Sequence, residues 1–217
     1  DAAVKSYEQA LAIKPDFADA CNNLGITLKK LGQLDTAVKY YEQALAIKPD
    51  YAEAHNNLGN ALSDLSRLDA AIKCYEKAVA LKPDYAEAFN NLGNTLRDLG
   101  RLDAAVKCYE KAVALKPDYA EAYHNLGNVL LVLKREDEAL ASYERAIVLN
   151  PNLNFILGDL LCTKMSLCLW DDLEKHLDEL TNKINNNEKV INPFHMLALI
   201  DDPEIHRKTA TIYANEK

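Results

Sequence analysis

Proline recurs at Pro15, Pro49, Pro83, Pro117 and Pro151, every 34 residues, and nothing in this 217-residue chain constrains its fold more. The units between them align without a gap. Leu24-Gly25, Leu58-Gly59, Leu92-Gly93 and Leu126-Gly127 share one phase, followed by Ala37, Ala71, Ala105 and Ala139. Tyr41, Tyr75, Tyr109 and Tyr143 come next, then Ala44, Ala78, Ala112 and Ala146. A period this strict describes one supersecondary unit stacked on copies of itself, each burying part of its apolar surface against its neighbours.

The apolar spacing predicts two helices per unit and an all-α chain. In "AEAHNNLGNALSDL", Leu58, Leu62 and Leu65 fall at i, i+4 and i+7, which makes one buried stripe on a helix over 52–65. "PDYAE" places Asp50 at the N-cap and Glu53 three residues on, the spacing of a capping box; Asp84/Glu87 and Asp118/Glu121 repeat it, and Asp16/Asp19 is a shorter version. Gly59 admits a partner helix closely enough to outweigh its helix penalty of about 1 kcal/mol. A second helix runs from near Leu68-Asp69 to about Leu81, packs through Ala71, Tyr75 and Ala78, and is stopped by Pro83.

Asparagine is the anomaly. It disfavours helix because its amide competes with the backbone for hydrogen bonds, yet "NNLG" returns in repeat after repeat. Asn23, Asn57, Asn91 and Asn125 form one row, too deep in their helices for capping. Asn60, Asn94 and Asn128 form a second row three residues further on the same face, broken by Ile26 in the first repeat; His124 replaces the neighbouring asparagine in the last. A carboxamide offers a donor and an acceptor and so matches a peptide unit whatever its side chain. Spacing leaves two readings open: the amides hold an extended polypeptide by its main chain, or they bond an adjacent helix or face water. On the first reading, alanine at Asn57 and Asn91 leaves stability unchanged or slightly raised and abolishes capture of unfolded peptides.

The formal net charge of −8 and pI near 5.2 give no basic field for nucleic acid or anionic lipid. No apolar run is long enough to span a membrane, and no signal peptide opens the chain. Cys21, Cys74, Cys108, Cys162 and Cys168 form no C-x-x-C pair and have no histidine cluster at metal-ligand spacing. Cys74 and Cys108, one repeat apart, are expected about 10 Å from each other, beyond disulfide reach. All five read as reduced apolar fillers, and a cytoplasmic location fits. No metal, cofactor or catalytic constellation is expected.

The Leu-Gly, Ala, Tyr, Ala, Pro order at this period resembles the tetratricopeptide repeat. The resemblance implies a right-handed superhelical solenoid with first helices along a concave wall. In this register Asp1 to Lys14 is a second helix alone, with Ala3, Tyr7 and Ala10 where Ala37, Tyr41 and Ala44 sit. The chain therefore reads as a piece cut inside an array, with an apolar N-terminal edge open to self-association. The "NNLGN" helices further resemble the repeats of O-linked N-acetylglucosamine transferase and its SPINDLY-like relatives. In that family an asparagine ladder grips the acceptor protein's backbone, and Asn23, Asn57, Asn91 and Asn125 match it.

The register decays after Pro151, so the domain expectation is repeats over 1–151, a degenerate capping pair over 152–184 and a connector with a final helix over 185–217. Leu173, Leu177, Leu180 and Ile184 are in phase on one helix, and Ile205, Thr209, Ile212 and Tyr213 on the last. Trp170-Asp171, Pro193-Phe194, Leu197 to Leu199, Asp201-Asp202 and Tyr213 resemble the segment that leads into the SPINDLY-like catalytic domain. Trp170 is expected as a core plug between repeat and connector. His55, His124, His176, His195 and His206 are expected as packed or surface residues, and no strand-glycine-helix unit or phosphate cradle occurs. Two functions follow: a catalytically inert substrate-recognition arm of a nucleotide-sugar-dependent protein glycosyltransferase, or a generic scaffold unrelated to glycosylation. A carboxylate-gripping adaptor is disfavoured, because Asp19, Glu53, Glu87, Glu121, Asn22, Asn56 and Asn90 stand where Lys or Arg would be needed.

Overall fold

The computed structural model describes residues 2–215, which form thirteen α-helices and no strand. Two compact units divide the chain, Asp1–Leu115 and Lys116–Lys217. The first holds α1 (Ala2–Ile13), α2 (Ala18–Lys30), α3 (Leu34–Ile47), α4 (Ala52–Asp64), α5 (Leu68–Leu81), α6 (Ala86–Asp98) and α7 (Leu102–Leu115). The helices α2 and α3, α4 and α5, and α6 and α7 pack as hairpins, and α3–α4 and α5–α6 join successive hairpins. Ala37, Tyr41, Ala44, Ala71, Tyr75, Ala78, Ala105, Tyr109 and Ala112 are buried on the second helices. No residue of α1 is buried, although Ala3, Tyr7 and Ala10 share that register.

The acidic residues do not cap these helices. The N-cap positions are Phe17, Tyr51, Tyr85 and Tyr119, none with a side-chain cap bond, while Asp16, Asp50, Asp84 and Asp118 are exposed in the preceding turn. The turn itself sets the start. Lys48, Lys82 and Lys116 lay their ammonium groups 4.5, 4.7 and 4.6 Å from the ring centres of Tyr51, Tyr85 and Tyr119. Glu53 turns to Lys82 instead, accepting a 3.0 Å bond from its Nζ that holds the carboxyl below its ordinary range.

First helices end in a left-handed residue that recurs with the period: Gly32, Ser66, Gly100, Lys134 and Cys168. In α4 the Ser66 N–H bonds the Ser63 carbonyl and the Arg67 N–H bonds the Leu62 carbonyl, both at 2.8 Å, a Schellman closure. Side-chain residues in this conformation cost about 1–2 kcal/mol each. Ser66→Gly should therefore raise stability by about 1 kcal/mol, read as a higher urea midpoint at unchanged slope.

The second unit contains α8 (Ala120–Val132), α9 (Glu136–Leu149), α10 (Ile156–Ser166), α11 (Leu173–Asn185), α12 (Pro193–Leu199) and α13 (Pro203–Ala214). Its first two helices repeat the hairpin. The rest share one core of Leu157, Leu161, Leu180, Ile184, Val190, Ile191, Met196 and Ile205. Leu161 fills the place that glycine holds in the repeats, so no tyrosine need cross there. The side chains of Asn192 and Asp202 cap α12 and α13, each with proline at the first turn. Trp170 is not a plug: it is 54% exposed, in the loop that follows the left-handed turn at Cys168. Cys168 is likewise exposed rather than a filler.

Candidate functional site

All seven asparagines of the two rows are half-buried: Asn23 on α2, Asn57 and Asn60 on α4, Asn91 and Asn94 on α6, Asn125 and Asn128 on α8. The second row meets tyrosine. The Tyr75, Tyr109 and Tyr143 hydroxyls donate to Oδ1 of Asn60, Asn94 and Asn128 at 2.7, 2.8 and 2.7 Å. Burial pushes all three phenols upward, so each hydroxyl keeps the proton it donates. Glycine makes the geometry feasible: a Cβ at Gly59, Gly93 or Gly127 would lie 2.6, 2.7 or 2.5 Å from Cε1 of the corresponding ring. The ring thus crosses the first helix at glycine and its hydroxyl lands on the next residue. Where Ile26 interrupts the row, the Tyr41 hydroxyl is buried without a partner.

The first row works between repeats. Asn57 Nδ2 donates to Asn22 Oδ1 at 3.0 Å, and Asn91 Nδ2 to Asn56 Oδ1 at 3.1 Å. Asn22, Asn56 and Asn90 are only 4, 5 and 5% exposed. They do not present themselves to a ligand, contrary to their grouping with surface positions in the sequence. Asn56-Asn57 therefore divides its tasks: the buried Asn56 accepts from Asn91 of the following repeat, and the half-buried Asn57 donates to Asn22 of the preceding one. A buried amide oxygen left without a donor costs about 1–3 kcal/mol, which offsets the poor helix propensity of the pair. Asn57 and Asn91 keep one amide hydrogen and the carbonyl oxygen uncommitted among the described residues.

Asn60, Asn91 and Asn94 come together with Lys29, Ser63 and Asp64 around a groove of about 210 Å³ in the first unit. Lys29 Nζ stands 2.7 Å from Asp64 Oδ2 in this groove. The walls come from α2, α4 and α6, all first helices, with α5 contributing Tyr75. Asn23 and Asn57 lie outside that lining, and Asn128 lines a separate cavity in the second unit.

In the second unit the pairing persists with different chemistry. His124 stands 34 residues after Asn90, and Asp159 stands 34 after Asn125. His124 Nε2 and Asp159 Oδ2 are 2.7 Å apart, the same offset of 35 residues that joins Asn57 to Asn22. Asp159 was hidden in the sequence, because the decayed register draws attention to lost leucines and tyrosines rather than to a retained polar position. Of the other histidines, His55 bonds the Pro49 carbonyl at 2.9 Å, His206 bonds the Ile200 carbonyl at 2.5 Å, His176 Nδ1 is buried without a hydrogen-bond partner, and the half-exposed His195 stands 3.9 Å from Asp159. Among the described residues, no group of three or more His, Cys, Asp or Glu is arranged to hold a metal, and no helix is long and apolar enough to cross a membrane.

Sequence models of the tetratricopeptide repeat match residues 1–32, 27–66, 59–96, 93–134 and 120–153. Comparison with curated proteins returns no significant match. Among solved structures, MamA is similar at 25% identity with a TM-score of 0.68, over 78% of this chain and 93% of that one. PilF of Pseudomonas aeruginosa aligns at 23% identity and a TM-score of 0.74, over 91% and 89%. YrrB aligns at 19% identity and 0.69, over 96% and 99%, and its structure is described as a tetratricopeptide protein with an unusual peptide-binding site. With its repeats matched over more than half its length and its helices paired as the period demands, the chain belongs to the tetratricopeptide-repeat family, a scaffold for protein–protein interaction.

Proposed function

We propose that the repeats bind an extended polypeptide by its main chain, along the groove walled by α2, α4 and α6. The observation that carries this reading is the half-exposed amide of Asn91, which keeps a donor and an acceptor free where Asn60 and Asn94 also converge. Spare amide groups that face a groove can pair with successive peptide units without reading side chains. The peptide-binding site named for YrrB supports the reading by analogy of fold. Ser63 offers the cleanest test, since it lines the groove, is half-buried and sits near the end of α4. Ser63→Trp should fill the groove and weaken capture of fluorescein-labelled, reduced and carboxymethylated α-lactalbumin at least about tenfold, with an unchanged melting temperature. Equal capture by the variant would sink the proposal.

A narrower version takes the bound polypeptide as the acceptor of a protein O-glycosyltransferase, with the repeats delivering it to a catalytic domain at raised local concentration. It rests on the resemblance of the "NNLGN" helices and the segment from Trp170 to Tyr213 to SPINDLY-like transferases. Reading the gene past Lys217 tests it. A nucleotide-sugar transferase domain there supports it, and an unrelated domain or a stop rejects it.

A further inference from the structure

The second unit carries an open cavity of about 270 Å³ lined by His124, Asn128, Phe155, Asp159, Asn192, His195 and Tyr213. Three of its side-chain oxygens are committed. Asn128 Oδ1 accepts the Tyr143 hydroxyl, Asn192 Oδ1 accepts the Phe194 N–H as a helix cap, and Asp159 Oδ2 pairs with His124. Asp159 Oδ1 makes no hydrogen bond among the described residues. His195 Nδ1 stands 3.9 Å from it, beyond hydrogen-bond distance. The carboxylate is only 16% exposed, and no lysine or arginine lines the cavity. Phe155 and Tyr213 stand beside it edge to face, their ring centres 6.1 Å apart.

We propose that this cavity takes the guanidinium of an arginine side chain carried by a polypeptide ligand. A carboxylate oxygen with spare acceptor capacity matches a planar, always-charged fork of N–H donors. Aromatic faces next to the acid attract the same group through their quadrupoles. A neutral side chain of equal size would gain neither term. A compact ammonium would pair with the acid but stack less well on the rings. The inference deepens the polypeptide-binding reading and rests on it only for the arginine being part of a chain.

The test uses N-acetyl-L-arginine amide against N-acetyl-L-citrulline amide, an uncharged near-isostere, followed by the NMR ring resonances of His124 and His195. The arginine amide should shift both resonances and bind about tenfold more tightly than the citrulline amide. Asp159→Asn should reduce arginine binding to the citrulline level. That variant should fold, because asparagine occupies the equivalent place at Asn57, Asn91 and Asn125 and can accept from His124. Equal affinity for the two amides overturns the proposal, as does arginine binding indifferent to Asp159→Asn, or histidine resonances that do not move. The comparison of amides on the unaltered chain needs no variant. Because the probes are single residues read in the second unit, the pocket can fail while Ser63→Trp still blocks polypeptide capture in the first, and the converse.

Discussion

Replacing Asn57 and Asn91 together with alanine should lower stability by about 2–4 kcal/mol, read from urea unfolding. Each substitution removes the Nδ2 donor that serves a buried oxygen, of Asn22 in one case and Asn56 in the other. The orphaned acceptor costs about 1–3 kcal/mol at each site, while alanine's better helix propensity returns roughly half a kilocalorie. The two bonds share no residue, so their effects should nearly add. Removing both partners should be milder: Asn22→Ala with Asn57→Ala should cost less than the sum of the single changes, since no acceptor is then left bare. Strict additivity in that cycle would show that the bond seen here contributes nothing. The peptide-binding reading of these amides carried the opposite expectation, stability unchanged or slightly raised, and the bonds to Asn22 and Asn56 argue against it. Loss of peptide capture in this double variant would therefore not separate binding from folding, which is why the groove is better probed at Ser63.

Gly59→Ala should also be strongly destabilising, although alanine is the better helix former by about 1 kcal/mol. The new Cβ would lie 2.6 Å from Cε1 of Tyr75, and 2.8 Å from Cδ1. Tyr75 is 2% exposed, so its ring cannot swing into solvent. Overpacking of this kind costs about 1–3 kcal/mol, and a displaced ring would also give up the 2.7 Å bond from its hydroxyl to Asn60. Gly32→Ala is the useful contrast. Nothing lies within 4 Å of a Cβ there, and its φ of +75° limits the effect to backbone strain of about 1–2 kcal/mol. Thermal unfolding of the two variants should show the larger drop for Gly59→Ala; the reverse order would mean that the ring yields easily.

The hairpins were legible because glycine, alanine and tyrosine at fixed phase admit few packings. The second helix, expected from near Leu68-Asp69 to about Leu81, spans Leu68–Leu81 in the structure. Helix caps were not legible, because a Pro-Asp-Tyr turn with lysine laid on an aromatic ring mimics a capping box in sequence. The helix at Pro193–Leu199 was missed for a related reason: seven residues carry too little periodicity, and the signal was the Asn-Pro cap. In the candidate site the sequence showed which asparagines share a face. It could not show that Tyr75, Tyr109 and Tyr143 already engage one row, since the residues are 15 positions apart and meet only across a hairpin.

The backward-donating, forward-accepting amides carry an evolutionary corollary. Excising residues 52–85 as a block would bring the amide of Asn91 opposite Asn22, the partner that Asn57 now serves. The coupler is the same at each of these junctions, so whole units can be lost or gained without stranding a donor, whereas a cut out of register strands one at once. Length variation in such arrays is thereby channelled into integer steps.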